Sequence, residues 1–328
     1  MYDYAIVGLG AAGLLTLAHL PAHATVLVLE RGYIGGALAT DYAHVTANIP
    51  TKTLAATLRR LPGCATALLP LLGEEGDACP FLHDLIKQLK ALVAPRIKTC
   101  AYRSTTVTRV QQVPEGWRIE SEAGAWRATR LILCTGGTPL TMDLPLPHVP
   151  LSVALDATAL ARVVEKNEQV VVFGTAHSGT LVLKALRNVG VQRIVAVYRG
   201  ASPFRFARDG DTEGIKQESA AIADEILAGG WADVLTLVPT SDVGGVQRAL
   251  LGADAVVYSI GFRPSLSFPV LDEGGGRIEP AAIGACRVPG LFGFGIGFPS
   301  FYTAPNGKQY PDVGFAGFID AIIASPLV

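Results

Sequence analysis

The hydrophobic positions of this chain form short β-branched runs separated by segments with helical periodicity. The first unit reads as a strand over residues 3–8, an Ala/Leu-rich helix over 11–20 and a second strand over 25–30. Strands that are apolar at consecutive positions are typical of a parallel sheet covered on both faces. A second unit of the same kind follows, with strands over 169–173 and 193–198 and a helix over 178–189. The pattern predicts an α/β chain with two Rossmann-like, three-layer domains.

A different pattern fills the region between these units. Residues 104–111, 115–121 and 125–130 alternate apolar and polar positions, which predicts antiparallel strands with one exposed face. Residues 131–134 read as a buried strand, and the segment 139–150, with four prolines, reads as a linker. The other predicted elements are helices over 51–60, 81–94, 156–165, near 213–229 and about 313–324, and strands over 234–238, 253–258 and 290–295.

A glycine-rich turn joins the first strand to the helix in each of the two units. Strand, turn and helix N-terminus together form an anion site, because backbone N–H groups and the helix dipole meet a pyrophosphate there. Two such turns predict two bound dinucleotides. The predicted contacts are Gly8, Gly10, Ala11, Ala12 and Gly13 in the first turn, and Gly174, Ala176, Ser178 and Gly179 in the second.

The second turn departs from the pattern, because Ala176 stands where the middle glycine is expected. Its methyl group narrows the approach of a phosphate. The alternative is a Rossmann domain that no longer binds a nucleotide. His177 is expected to cap or solvate the helix start rather than to act in catalysis.

The ends of the second strands carry residues suited to a ribose. Glu30 can accept hydrogen bonds from ribose hydroxyls, which favours FAD or NAD over a ribose with a 2′-phosphate. Arg199 follows the corresponding strand of the second unit, where it would pair with a 2′-phosphate. This favours NADPH, with NADH and a plain solvated arginine as alternatives. Arg205 and Arg208 would add to this site.

Composition limits the class of protein. The chain has 328 residues, is 50% hydrophobic and carries a net charge of −1, so nothing indicates nucleic-acid binding. Its five cysteines contain no Cys-x-x-Cys pair, which argues against a disulfide framework, a zinc ribbon and a redox-active dithiol. Asp3, the early glycines and Pro21 argue against a signal peptide or membrane span in the apolar first segment. We expect a soluble, cytoplasmic protein.

The order of these parts resembles the two-dinucleotide-binding-domain flavoproteins, and above all their compact thioredoxin-reductase-like members. The resemblance rests on both turns, Glu30, the meander, residues 134–137 and residues 259–264. It implies an FAD domain over 1–145 and 260–328, split by an inserted NAD(P)H domain over 146–259. It also implies FAD contacts from Arg31, Gly36, Val107, Thr135, Gly136, Gly295, Val313 and Gly314. Val313 and Gly314 would begin the last helix, whose N-terminus would face the flavin pyrimidine. Cys134 is expected to be a small core residue.

A local likeness points to the flavin-containing monooxygenase and N-hydroxylase branch. It is carried by Glu30, Gly35-Gly36 and residues 48–51, and in that branch an asparagine lies beside the flavin. Asn48 and Lys52 are therefore predicted to line the flavin as catalytic residues, with a plain turn residue as the alternative for Asn48. Ile296 follows Gly295 where reductases have aspartate, so backbone groups would hold the ribityl chain. The predicted substrate mouth comprises Tyr302, Asn306, Lys308 and Tyr310.

These observations predict an FAD-dependent oxidoreductase that takes a hydride from NAD(P)H and acts on a small molecule. A monooxygenase-like reaction is slightly preferred. The alternatives are a ferredoxin or flavin reductase without a dithiol, and a non-catalytic FAD-binding scaffold or redox sensor. Members of this family are often dimers, so a homodimer is one expectation, and the sequence leaves the oligomeric state open.

Overall fold

The computed structural model describes residues 1–62, 76–208, 214–284, 287–305 and 307–327. The chain divides into two compact units. Unit 1 comprises Met1–Thr138, Arg263–Tyr302 and Gln309–Val328, and unit 2 comprises Pro139–Phe262 and Thr303–Lys308. Assigning a particular cofactor to each unit remains a prediction.

The strands in chain order are β1 Tyr2–Val7, β2 Val26–Glu30, β3 Ala101–Ser104, β4 Val107–Val113, β5 Gly116–Ser121, β6 Gly124–Leu133, β7 Gly137–Pro139, β8 Gln169–Phe173, β9 Arg193–Tyr198, β10 Leu235–Pro239, β11 Ala255–Tyr258, β12 Phe262–Pro264, β13 Val270–Leu271, β14 Leu291–Gly293, β15 Ser300–Thr303 and β16 Gln309–Asp312. The helices are α1 Ala11–His19, α2 Thr51–Leu58, α3 Leu82–Thr99, α4 Leu151–Ala154, α5 Ala157–Leu160, α6 His177–Val189, α7 Gln217–Leu227, α8 Val243–Leu251, α9 Pro280–Gly284 and α10 Phe315–Ala324, with a 3-10 turn over Gly36–Leu38. This mixed α/β architecture with parallel sheets confirms the predicted fold class.

The large sheet of unit 1 has the strand order β13-β4-β5-β6-β1-β2-β3, with β14 paired to β6. β1 runs parallel to both β2 and β6, whereas β4, β5 and β6 form an antiparallel meander. The predicted strands over 125–130 and 131–134 are one strand, β6. Its first half pairs with β5 and its last three residues pair with β14, so a change of neighbour rather than a turn separates the two halves.

Both faces of the parallel part of this sheet are covered. Tyr4 and Ile6 of β1 pack into a core with α1, α3 and α10, while Ala5 and Val7 face a second core that contains Trp117. Burial on both faces explains why β1 is apolar at consecutive positions rather than alternating.

Unit 2 is built on a parallel sheet with the order β10-β9-β8-β11. The helix expected over 156–165 is shorter than predicted, since α5 ends at Leu160. Its N-cap is Asp156, whose carboxylate accepts hydrogen bonds from the N–H groups of Thr158 and Ala159, and the separate short helix α4 precedes it. Helix α8 was not predicted. It contains Gly244 and Gly245, and the carboxylate of Asp242 caps it.

Helix α3 continues beyond its predicted end, through Pro95 to Thr99. The guanidinium of Arg96 donates hydrogen bonds to the carbonyl oxygens of Pro21, Ala22 and Ala24, which anchors this last turn. Within the described ranges, no helix is both long and apolar enough to cross a membrane.

Candidate functional site

The first glycine turn contains two glycines that the fold itself requires. Gly8 has φ +93°, and an added Cβ would lie 2.4 Å from the carbonyl oxygen of Cys134. A Cβ at Gly13 would lie 2.2 Å from the carbonyl oxygen of Gly8. Strand β1, helix α1 and the end of β6 therefore approach each other too closely for any side chain at these two positions.

Gly10 differs from its neighbours. It has φ −72° and ψ −166°, which any residue can adopt, and a Cβ there would meet only Gly35 and Gly36, each at 3.9 Å. Gly35, on the far side of the space next to Gly10, is held in place because its N–H donates a hydrogen bond to the carbonyl oxygen of Leu9 at 2.8 Å. Packing against the described residues would therefore accept alanine at position 10, so the fold does not require glycine there.

Helix α1 begins at this turn without a side-chain cap and without an acidic residue in its first turn. Ala11 and Ala12, the first two residues of α1, are buried. Gly36 lies against the turn, with φ +61° and only 3.1 Å between a built Cβ and the Cα of Gly10. The N–H groups at the start of α1 remain available to an anion in the space beside Gly10.

Glu30 ends β2 and is buried, with 8% of its surface exposed. One carboxylate oxygen accepts a hydrogen bond from the N–H of Leu9 at 2.5 Å, and the other accepts one from Gly32 at 2.8 Å. These bonds fix the carboxylate beside the glycine turn and leave it further lone pairs for ribose hydroxyls. Arg31 next to it is exposed.

Val107 lies close in sequence and space to this strand end. The N–H of Thr105 donates to the backbone carbonyl of Glu30 at 3.0 Å, and Val107 then begins β4 as a buried residue. Burial, with the charge of Glu30, raises the pKa of the Tyr102 phenol on the adjacent strand β3.

Residues after β6 contribute an unpaired polar atom. The hydroxyl oxygen of Thr135 is buried and has no hydrogen-bond partner in the part of the chain that the structure describes. Gly136 follows with φ +73°, and nothing lies within 4 Å of a Cβ built on it. Gly295, with φ +88°, packs against Ala12. Gly136 thus borders open space, whereas the hydroxyl of Thr135 is enclosed next to the first glycine turn.

Cys134 is the buried core residue that was expected. Burial raises the pKa of its thiol to about 12, so the thiol stays protonated at neutral pH. A protonated, enclosed thiol is not a nucleophile.

The two predicted catalytic residues have different surroundings. Asn48 is half-buried in a bend, and its side-chain amide makes no hydrogen bond within the described residues. Lys52 is exposed and its ammonium contacts the carboxylate of Asp77. The structure therefore leaves the amide of Asn48 available to a ligand but gives Lys52 a partner at the surface.

The last helix begins later than expected. Val313 is exposed and precedes the helix, Gly314 is its N-cap, and α10 starts at Phe315. The carboxylate of Asp312 accepts a hydrogen bond from the N–H of Gly314 at 3.2 Å, and a Cβ at Gly317 would lie 2.1 Å from its oxygens. A carboxylate therefore lies over the positive end of α10, which sequence analysis missed.

The second glycine turn reproduces the backbone of the first. The N–H of Gly8 donates to Leu29 and that of Gly174 donates to Val197, at 2.8 and 2.9 Å. A Cβ at Gly174 would lie 2.1 Å from the carbonyl oxygen of Ser259, and one at Gly179 would lie 2.0 Å from Gly174. Both outer glycines are again required by packing. Ala176, the N-cap of α6, is exposed and places its methyl group where Gly10 has none.

The strand registers also show which residues at the ends of β2 and β9 are equivalent. Tyr198 stands where unit 1 has Glu30, and Arg199 where unit 1 has Arg31. Arg199 is exposed at the end of β9, whereas Arg208 lies over the ring of Phe206 and pairs with Asp224 at 3.0 Å. At the end of β9 the second unit therefore has tyrosine where the first has the acidic Glu30.

Two further features bear on the predicted sites. His177 is half-buried, and its Nδ1 lies 2.7 Å from the hydroxyl oxygen of the fully buried Ser219, a contact that sequence analysis missed. Tyr302 and Tyr310 stack with ring centroids 6.1 Å apart. Asn306 lies outside the described residues. No cluster of three or more potential metal-ligating side chains occurs among those that are described.

No model of a known protein family matches the sequence. One curated relative, named Monooxygenase AgnR1, from Paecilomyces divaricatus, is 27% identical over 232 residues. The match covers 60% of this chain, and the chain spans about 58% of that protein.

Solved structures share the fold over nearly the whole chain. A flavin-containing monooxygenase from Stenotrophomonas maltophilia has a TM-score of 0.65 at 18% identity and covers 98% of this chain and 96% of its own. A thioredoxin reductase from Lactococcus lactis has a TM-score of 0.56 at 17% identity, covering 100% and 98%. A bacillithiol disulfide reductase from Bacillus cereus has 0.59 at 17%, covering 98% and 97%. The predicted resemblance is confirmed at the level of fold: the chain has the two-Rossmann-domain fold shared by thioredoxin reductases and flavin-containing monooxygenases.

Proposed function

We propose that this chain is an FAD-dependent oxidoreductase that uses NAD(P)H as hydride donor. FAD is assigned to residues 1–145 and 260–328, and NAD(P)H to residues 146–259. The observation that carries the proposal is Gly10, a glycine that the packing of the protein does not require and that borders an uncapped helix N-terminus.

The groups around the first turn fit FAD. Backbone N–H groups at the start of α1 suit its pyrophosphate, and the fixed carboxylate of Glu30 suits ribose hydroxyls. The unpaired hydroxyl of Thr135 supplies a further polar contact beside this space. The other proposed contacts are Gly8, Ala11, Ala12, Gly13, Arg31, Gly36, Val107, Gly136, Gly295, Val313 and Gly314.

FAD bound here would supply hydride and electron transfer between the nicotinamide and an acceptor. The chain's own residues would bind and orient it. Asn48 would offer its unengaged amide to the ring or substrate. A catalytic role for Lys52 has less support, because its side chain is exposed and its ammonium contacts Asp77. The carboxylate of Asp312 would reduce the positive potential of the α10 N-terminus that a negatively charged ring would otherwise meet.

The preference for NADPH over NADH rests on the end of β9. Tyr198 replaces the carboxylate that would repel a 2′-phosphate, and the exposed guanidinium of Arg199 follows it. Gly174, Ala176, Ser178 and Gly179 would receive the pyrophosphate.

The experiment that tests the assignment is spectroscopic. The purified protein should show flavin absorbance, release FAD on denaturation and lose its visible absorbance when NADPH is added without oxygen. A colourless protein that ignores added FAD would end the proposal. A flavin spectrum that NADPH and NADH leave unchanged would favour the FAD-binding scaffold instead.

A monooxygenase reaction on a small molecule is the preferred activity. Its support is the name of the curated relative and the lack of a Cys-x-x-Cys pair in the sequence. With a true substrate, oxygenated product should form and hydrogen peroxide release should fall relative to NADPH oxidation. Peroxide equal to NADPH with every compound, together with rapid reduction of ferredoxin or viologen dyes, would favour the reductase. A homodimer and a cytoplasmic location remain predictions.

A further inference from the structure

Helix α10 runs back along strand β1, in the direction opposite to the strand. The hydroxyl of Tyr4, in the first half of β1, donates a hydrogen bond to the carbonyl oxygen of Leu327, shortly after the end of α10, at 2.7 Å. The helix packs in the same core as β1 and α1. Its ten residues span about 15 Å, roughly the length of chain from Tyr4 to Gly8. The N-terminus of α10 therefore lies at the edge of the sheet where the first glycine turn lies.

This edge has two sides, because β2 lies on one side of β1 and β6 on the other. Glu30, the proposed ribose acceptor, ends β2. Arg130 of β6 donates a hydrogen bond to the hydroxyl of Tyr4 at 3.3 Å, so the group that holds the end of α10 is linked to the β6 side. A dinucleotide with its ribose at Glu30 and its pyrophosphate at Gly10 would extend its ring towards the end of β6, where Gly136 borders open space. The ring would then lie near the start of α10.

A carboxylate occupies the start of α10, whereas the first turn of α1 has no acidic residue. The carboxylate of Asp312 accepts a hydrogen bond from the N–H of Gly314, the N-cap residue, at 3.2 Å. A Cβ built on Gly317 would lie 2.0–2.1 Å from the atoms of this carboxyl group. The glycine in the first turn thus leaves the space that the carboxylate fills, and alanine there would displace it.

The carboxylate changes the sign of the charge at this end of α10. A helix N-terminus is equivalent to about +0.5 of an elementary charge, and an ionised carboxylate carries a full negative charge, so their sum is negative. A flavin ring gains negative charge when it is reduced, and charges interact more strongly where water is excluded. A ring beside Asp312 would therefore be harder to reduce than one beside an uncapped helix, and its reduced form would hold its proton more tightly.

We propose that Asp312 lowers the midpoint potential of the FAD bound by this chain, through a carboxylate that lies over the N-terminus of α10. Gly317 is a positioning residue, because its missing side chain admits that carboxylate. The inference rests on the proposed function, since it requires FAD in residues 1–145 and 260–328. A lower potential makes the reduced cofactor a stronger electron donor to its acceptor.

The test measures the midpoint potential of the FAD-loaded protein against a reference dye. Asp312→Asn should favour the reduced cofactor about 10-fold, which raises the potential by about 30 mV for a two-electron couple. Gly317→Ala keeps the charge but displaces the carboxylate, and it should favour the reduced cofactor about 3-fold, which is about 15 mV. Asp320→Asn is the matched control. Asp320 is an exposed acid farther along the same helix, paired with Arg60, and its loss should leave the potential unchanged.

The absorbance of the reduced flavin gives a second measurement, because it differs between the neutral and the anionic ring. In Asp312→Asn the reduced ring should hold its proton about 10-fold less tightly than in the unaltered protein. An unchanged potential in Asp312→Asn, or an equal rise in Asp320→Asn, would overturn the inference. If Asp312→Asn does not fold, an unchanged or lower potential in Gly317→Ala does the same. An unaltered protein that binds no FAD would contradict the proposed function instead.

Discussion

Residues 8–13 and residues 174–179 lead from a buried strand into a helix along the same backbone path. The glycines within these turns are needed for different physical reasons. The outer glycines of both turns are required by contacts of about 2.0–2.4 Å with neighbouring carbonyl oxygens. The middle position meets no such contact, and there the two turns differ, with Gly10 in one and Ala176 in the other. Only at the middle position can the choice of residue depend on the proposed ligand rather than on packing.

This difference changes how a glycine motif is interpreted. A match to the outer glycines indicates tight packing of strand against helix, which any Rossmann unit needs whether or not it binds a nucleotide. The middle glycine, which the fold would allow to be alanine, indicates a ligand that comes close to the backbone. Unit 1 satisfies both conditions, and unit 2 satisfies the first.

The largest effect should come from the outer glycines. Gly8→Ala and Gly174→Ala should each lower the free energy of unfolding by about 3–6 kcal/mol, because overpacking adds to the strain of a positive φ. Such a loss is comparable to the whole stability of a domain. Circular dichroism during thermal melting measures it. If either variant melts at the same temperature as the unaltered protein, packing does not require glycine in that turn.

Next comes the middle glycine of unit 1. Gly10→Ala should weaken FAD binding by at least about 30-fold, since its methyl group fills the phosphate space. The apoprotein should melt within a few degrees of the unaltered apoprotein, because a Cβ there makes only ordinary contacts. The ratio of flavin to protein absorbance after dialysis is the measurement. Full retention of FAD would show that Gly10 does not face the ligand.

A smaller effect, on nucleotide affinity, is expected at Arg31 and Arg199, which occupy equivalent positions in the two units. Arg199→Ala should weaken NADPH about 10-fold and leave NADH unchanged, because only NADPH carries the 2′-phosphate. Arg31→Ala is the matched control at the equivalent position of unit 1 and should affect neither nicotinamide nucleotide. Equal losses for NADPH and NADH on Arg199→Ala would contradict recognition of the 2′-phosphate.

The smallest effect is on the pH dependence of unfolding, and it concerns the residues on which the outer glycines pack. Cys134 in unit 1 corresponds to Ser259 in unit 2, since each donates its N–H to the end of the first strand at 2.8 Å. Burial raises the pKa of the Cys134 thiol to about 12 from an ordinary value of 9.0. The unfolded chain therefore loses this proton first, so the stabilising contribution is complete below pH 9 and is lost as the pH rises towards 12.

Cys134→Ser copies the second turn and removes this titration. Its free energy of unfolding, measured by denaturant titration, should fall less steeply between pH 9 and 11 than that of the unaltered protein. The slope is the readout, because the substitution itself also changes packing. Identical slopes in the two proteins would show that the thiol does not contribute.

The sequence by itself determined the fold class, both strand–turn–helix units and most element boundaries to within a few residues. Hydrophobic periodicity and glycine turns are local signals, and consecutive apolar positions already indicate strands covered on both faces. The same signals identified Glu30 at a strand end and Cys134 as a core residue, because each position follows from its own neighbours in the chain.

Only the tertiary structure separated the two kinds of glycine, since packing against Cys134 requires Gly8 and no contact with a described residue requires Gly10. It alone joined β6 into one strand and placed the carboxylate of Asp312 over α10. It also brought His177 to Ser219, two residues far apart in the chain. Such contacts depend on how distant segments pack, and no local pattern of hydrophobic and polar residues contains that information.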